Sequence, residues 1–249
     1  QEMRDFMIRS ADCVHVHSIA AADFATSDLD IPHEKVIVVQ HPSYERVYGA
    51  CLDPLATKQS RKARFMLFGR IRPYKGLDLM RDVFADKHVA RATQHLTIAG
   101  LADDDVQSEL QNGFPLLKGK CTLRFEHVPD KDLAKLFSQT DFVLMPYAHS
   151  LTSGVAPLAM SFGKPVIAAN LPGIREAVPP ENMEMLYDDP ADLRQMILKA
   201  AALKDETYLR MREAAFDWSV EHSPQRQSAR LLNELIDRKL ILVKDKANL

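Results

Sequence analysis

Cysteine is scarce in this chain, with three among 249 residues (Cys13, Cys51 and Cys121). Their odd count and scattered spacing speak against a disulfide framework and show no metal-ligand pattern. They are expected as reduced thiols of an intracellular protein. No apolar run approaches the roughly 20 residues that cross a bilayer, and no signal peptide is visible. An excess of positive charge is also lacking: the net charge of -2 argues against a generic nucleic-acid binder. There is no internal repeat and no low-complexity tract. The first residue is Gln rather than Met, so the chain is expected to be a piece of something longer.

What is present suits a packed α/β protein. The chain is 46% hydrophobic and 27% charged, which predicts a substantial core. Apolar runs of strand length lie at 13–18, 35–40, 64–69, 95–100, 121–126, 141–146 and 164–169. Several are apolar at successive positions, as in strands covered on both faces. Amphipathic helices lie between them. Leu77, Met80, Val83 and Phe84 share one face, as do Leu133, Leu136 and Phe137, with Asp130 placed to cap the latter helix. The alternation predicts a doubly wound parallel sheet. The C-terminal part reads as helical, with Asp189-Pro190 and Ser223-Pro224 as helix starts. Segment 43–63 is irregular and polar and reads as a linker. The expected division is the tail of an incomplete domain plus linker (1–60), a main domain (61–222) and a closing helix (223–249).

Candidate site residues cluster where strands should end. In "SLTSGVAPLAMSFGKPVIAA" (150–169), a polar loop precedes a helix start, and no charged side chain occurs between Ser150 and Ser161. Helix-start N–H groups form an anion site. Gly154 lets a ligand approach the backbone closely, and Thr152 or Ser153 can cap the helix or donate to an oxygen. Gly69-Arg70 closes a buried strand, and Lys75-Gly76 opens a helix on the same rim. Arg70 can grip phosphate oxygens through its fork, and Lys75 adds a mobile point charge. The turn at Val128-Pro129 could present backbone groups to a nucleobase. Each of these signals is modest alone.

Together, "GRIRPYKG", "VPDKDL" and "FGKPVIAANLPGIREAV", in this order, resemble the C-terminal half of retaining GT-B glycosyltransferases of family 4. The resemblance extends over nearly the whole chain, with 10–42 similar to the end of the family's N-terminal domain. It implies a Rossmann-like fold for the main domain and transfer of a sugar, with retention, from a nucleoside-diphosphate donor to a hydroxyl acceptor. Arg70 and Lys75 would bind the diphosphate and stabilise charge developing on it. The backbone of Ser153, Gly154 and Val155 would hold phosphate oxygens at the helix start, with Gly69 and Thr152 also in the nucleotide-sugar site. Val128 would contact the base through its backbone, with Leu133 packing nearby. Glu176 matches a family glutamate without an assigned role. Where the family carries two glutamates eight positions apart, contacting sugar and ribose, this chain has Ser150 and Leu158.

No metal or other cofactor is expected. The expected partners are the nucleotide sugar and an acceptor glycan, lipid-linked sugar or small molecule, with no nucleic acid. The location expected is cytoplasmic, with peripheral membrane contact through the missing domain and self-association of the fragment as further expectations. His15 and His17 read as structural or interfacial. His127 and His149 lie nearer the rim, and His149 is a candidate site residue. Two other readings stay open: a non-catalytic nucleotide-sugar-binding module, or subunit completed by another chain, and a sugar-nucleotide epimerase.

Overall fold

The structure is a computed structural model and describes residues 6–8, 10–50 and 62–241. The seven apolar runs form strands: β1 (Val14–Val16), β2 (Val36–Val38), β3 (Ala63–Phe68), β4 (Thr93–Ala99), β5 (Cys121–Arg124), β6 (Phe142–Met145) and β7 (Val166–Ala169). An eighth, β8 (Leu186–Tyr187), is too short to leave a readable pattern. β3 to β8 make one six-stranded sheet in the order β5-β4-β3-β6-β7-β8, with every neighbouring pair parallel. The chain builds outward from β3 through β4 to β5, then returns to the other side of β3 as β6. In such sheets a crevice opens beyond the strand ends where the order reverses. Here that point lies between β3 and β6.

Continuous apolarity puts these two strands at the centre. Ala63, Phe65, Met66 and Leu67 of β3, and all four residues of β6, are buried. The helices α2 (Leu77–Phe84), α3 (Lys87–Ala92), α4 (Asp104–Gln111) and α5 (Asp130–Ser138) follow the first strands. α2 buries Leu77, Met80, Val83 and Phe84, the four positions its periodicity selects. Asp86 caps α3, accepting from the N–H groups of His88 and Val89. Asp130, expected as a cap, instead lies inside the first turn of α5; Pro129 is the N-cap residue and there is no side-chain cap. The carboxylate still sits at the positive end of the helix dipole.

The second half adds α6 (Val155–Ser161), α7 (Pro172–Arg175), α8 (Leu193–Ala202), α9 (Asp205–Glu221) and α10 (Pro224–Asp237). Asp189 does cap, accepting from Ala191 N at 2.9 Å, but it caps the tight turn Pro190–Asp192 that leads into α8. Ser223 is the N-cap residue of α10 but makes no side-chain capping hydrogen bond.

β1 and β2 form a separate two-stranded parallel sheet, packed with α1 (Ile19–Ser27) around Ala22, Ala25, Ile31 and Val36. The Ser18 hydroxyl donates to the Leu151 carbonyl at 2.7 Å, and Ser43 Oγ donates to the Ser219 carbonyl at 2.6 Å. These bonds tie the small sheet to the main body. The segment expected as a polar linker is packed rather than free over residues 43–50, while 51–61, including Cys51, lie outside the described residues. No helix among the described residues is long and apolar enough to cross a membrane.

Candidate functional site

The site grows from the loop after β3. Gly76 adopts φ 75°, and a side chain there would collide with the Pro146 carbonyl oxygen. Only glycine meets both demands without strain. The loop is thereby pressed against the end of β6, and Ala148 N donates to the Tyr74 carbonyl at 2.8 Å. The two strands flanking the reversal point are stitched together at their carboxyl ends.

Lys75 turns back beneath this seam. Its Nζ donates to the Phe68 carbonyl at 2.9 Å and lies 5.1 Å from the centre of the Tyr147 ring. The residue is only 4% exposed. The expected mobile point charge is therefore pinned at the end of β3. Burial lowers its pKa to about 8, because desolvation disfavours the ammonium. A Cβ built at Gly69 would stand 3.3 Å from Lys75 Nζ and 3.4 Å from Val155 Cγ2. Gly69, Lys75 and the first residue of α6 thus meet at one point. Arg70 extends outward instead: its side chain is 60% exposed and 3.6 Å from the Asp103 carboxylate, which Arg72 approaches more closely, at 3.0 Å.

The loop before α6 is internally bonded. Ser153 Oγ accepts from Val155 N at 3.2 Å in a local turn ahead of the helix, and Ser150 Oγ donates to the Thr152 carbonyl at 3.0 Å. Neither Thr152 nor Ser153 is the helix cap expected of them, and α6 has no side-chain cap. Gly154 is the N-cap residue. Thr152 is exposed, as is His149, whose ring lies 5.1 Å from that of Tyr74.

A cleft of about 270 Å³ opens at the strand ends. Gly69, Arg70, Val128 and Leu133 line it, together with His127 and Leu158. Leu158 is buried at 6% exposure and presents an apolar wall where the family pattern would place a carboxylate. Thr152, Ser153 and Glu176 do not line this cleft; they border a small hollow at the seam with His17 and His41. Glu176 is committed elsewhere, its carboxylate accepting from Ile19 N at 2.7 Å and Ala20 N at 3.3 Å at the start of α1. Larger hollows, about 480 and 510 Å³, lie beside the α4–β5 edge and along α9. Among the described residues no group of three or more His, Cys, Asp or Glu could hold a metal ion.

Three residues of this region are hidden at the sequence level. Tyr44 and Tyr48, from the expected linker, line the cleft with their rings stacked at 5.7 Å. His41 Nδ1–H donates to the Pro42 carbonyl at 2.7 Å, and its Nε2 would lie 3.4 Å from a Cβ at Gly154. Burial, with a smaller contribution from His17, lowers the His41 pKa. His15 and His17 both bond the Val39 carbonyl at 3.0 Å, the structural use expected of them. The aromatic spacing in "SYERVYG" is the one sequence signal for the tyrosines, and its polar surroundings mask it.

The family model described as "Glycosyl transferases group 1" matches residues 62–202. A GDP-mannose:glycolipid 4-β-D-mannosyltransferase of Xanthomonas campestris pv. campestris is 30% identical over 105 residues, 42% of this chain and 30% of that protein. Among solved structures, HepE of Anabaena in complex with UDP and glucose superposes with a TM-score of 0.71 at 17% identity, covering 94% of this chain and 65% of HepE. Sucrose-phosphate synthase of Thermosynechococcus elongatus gives 0.72 at 16%, covering 96% and 61%. These likenesses establish a shared GT-B-type α/β fold. The chain thus spans under a third of the curated relative and under two thirds of these two structures.

Proposed function

Because the chain belongs to the glycosyl transferases group 1 family, we propose that it is the donor-binding part of a glycosyltransferase, a hexosyltransferase of the retaining family 4 type. It would take a sugar from a nucleoside diphosphate and pass it to a hydroxyl of a glycan, a lipid-linked sugar or a small molecule. The observation that carries this reading is the cleft at the β3–β6 reversal point, with Lys75 buried beneath it and Arg70 at its mouth. As the glycosidic bond breaks, negative charge collects on the leaving diphosphate. A fixed ammonium and a guanidinium already in place stabilise that charge without reorganisation. Neither step requires a metal.

Within this proposal, residues 61–222 form the nucleotide-sugar-binding domain, 1–60 the end of a partner domain with its linker, and 223–249 a helix returning toward that domain. Most of the acceptor site, and any contact with the cytoplasmic membrane face, would belong to the partner domain. A role in polysaccharide or glycoconjugate synthesis follows the glycolipid acceptor in the Xanthomonas relative's name. That name specifies GDP, whereas HepE was solved with UDP. The base is therefore a quantity to measure, as is retention, read from the anomeric configuration of the product.

Calorimetric titration with UDP, GDP and ADP tests the reading. One nucleotide should bind, with Arg70→Ala and Lys75→Ala each weakening it. In an assay of sugar transfer, either substitution should lower turnover by ~10²–10³-fold, the usual effect of removing one preorganised donor. Unchanged affinity and turnover in both variants would sink the assignment. A second reading, a binding module without transfer, is favoured by Ser150 and Leu158 standing where the family has glutamates. It predicts nucleotide binding with no turnover on any acceptor.

A further inference from the structure

The strap at residues 43–50 lines the cleft through Tyr44 and Tyr48. At one end the Tyr44 backbone N–H donates to Ser161 Oγ of α6 at 2.8 Å, and Tyr44 Oη would lie 3.2 Å from a Cβ at Gly154. At the other end Gly49 approaches α5, with Ala134 Cβ 3.6 Å from the position of its own missing Cβ. The strap is therefore anchored at the last residue of α6, sends the Tyr44 side chain back to that helix's start, the expected phosphate end, and runs on to α5, the expected base end. Arg46 and Tyr48 both have φ 58°, followed by Gly49 at φ 69°. Left-handed backbone at a bulky aromatic residue is uncommon and strained, and such strain gathers at ligand clamps. The tyrosine rings are half-buried, and the cleft wall they face is apolar, formed by Phe68, Val128, Leu133 and Leu158.

We infer that this strap is part of the donor subsite: the Tyr48 ring packs against the base and ribose of a nucleoside diphosphate, and the Tyr44 hydroxyl donates a hydrogen bond to a phosphate oxygen beside Gly154. The inference rests on the donor-binding reading above. It also accounts for Leu158. With no carboxylate to grip the ribose, recognition passes to an aromatic face opposite an aliphatic wall. Burial raises the Tyr44 pKa, so the phenol keeps its proton and remains a donor toward an anion.

The test is calorimetry on the 249-residue chain with the nucleoside diphosphate it binds, the matching monophosphate and the bare nucleoside. The variants are Tyr48→Ala, Tyr48→Phe, Tyr44→Phe and Lys75→Ala. Tyr48→Ala should weaken all three ligands by roughly tenfold, the scale of base–aromatic stacking, while Tyr48→Phe stays near wild type. Tyr44→Phe should weaken the diphosphate by about threefold to tenfold, as for one lost hydrogen bond, and leave the nucleoside unchanged. If Lys75→Ala weakens the diphosphate but both Tyr44→Phe and Tyr48→Ala match wild type, the strap inference falls and the donor-binding reading stands. If the wild-type chain binds none of the three, both fall together. Circular dichroism confirms that each variant is folded, and Tyr48→Phe keeps the test decisive should Tyr48→Ala misfold: loss of affinity in a folded Tyr48→Phe would overturn stacking as the cause.

Discussion

Lys75 carries the site's sharpest pH dependence. Its folded pKa of about 8 lies below the ordinary 10.5, so the unfolded chain holds the extra proton between those values. Burial of this lysine therefore costs stability below pH 8, and the cost disappears as pH rises toward 10.5. Ligand binding runs the other way. A diphosphate needs the ammonium, so affinity should fall by about tenfold between pH 7 and 9 as the free enzyme loses that proton. Titrations across this range should show the fall, and Lys75→Arg should flatten it, since guanidinium does not titrate there. A flat wild-type profile would place the diphosphate away from Lys75. At this scale the sequence is partly legible. Gly69, Arg70, Val128 and Leu133 reach one cleft because strand-end position in a doubly wound sheet is a strong constraint. The exposure of a side chain is not so constrained. Lys75 reads as a rim charge, and only the fold shows it bent back onto the Phe68 carbonyl.

Two glycines that look alike in sequence do different work in their elements. Gly76 combines φ 75° with contact against a backbone carbonyl, so neither partner can give way. Gly154 has φ −71°, and the nearest atoms to a Cβ there belong to the ends of two side chains, Tyr44 and His41. Gly76→Ala should lower the melting temperature sharply or abolish folding, whereas Gly154→Ala should fold nearly as the parent and weaken the nucleoside diphosphate by displacing Tyr44. Thermal denaturation alongside calorimetry separates the two, and equal destabilisation would refute the distinction. The elements themselves are legible where apolar periodicity is long, as in α2 and β3. Short β8 carries no pattern. The strap reads as a free linker because polar Glu45 and Arg46 interrupt Tyr44 and Tyr48, and alternation alone does not reveal which residues turn inward.

For the whole molecule, the two sheets are joined at a seam that Glu176 spans. Its carboxylate receives the first N–H groups of α1, while its carbonyl receives Gln40 Nε2 at 2.9 Å. His222 extends the same network, with Nε2 2.6 Å from Gln40 Oε1 and Nδ1 2.8 Å from the Trp218 carbonyl. An anion at a helix start satisfies unpaired donors and favours the macrodipole. Glu176→Ala removes the carboxylate's share of this seam and leaves the core of the six-stranded sheet untouched. Hydrogen exchange should then quicken across residues 14–40 while β3 and β6 keep their protection, because a protein opens locally where its bonding is weakest, without unfolding as a whole. Uniform loss of protection would mean that the two sheets form one cooperative unit. Unchanged exchange would assign the seam to the Ser18 and Ser43 bonds. A hinge there would let the β1–β2 unit swing relative to the strand ends, carrying His41 with it, while the strap stays bonded to the main body through Ser43 and Tyr44. Tyr44 and Tyr48 would keep lining the cleft, and the swing would uncover the start of α6 from the His41 side alone.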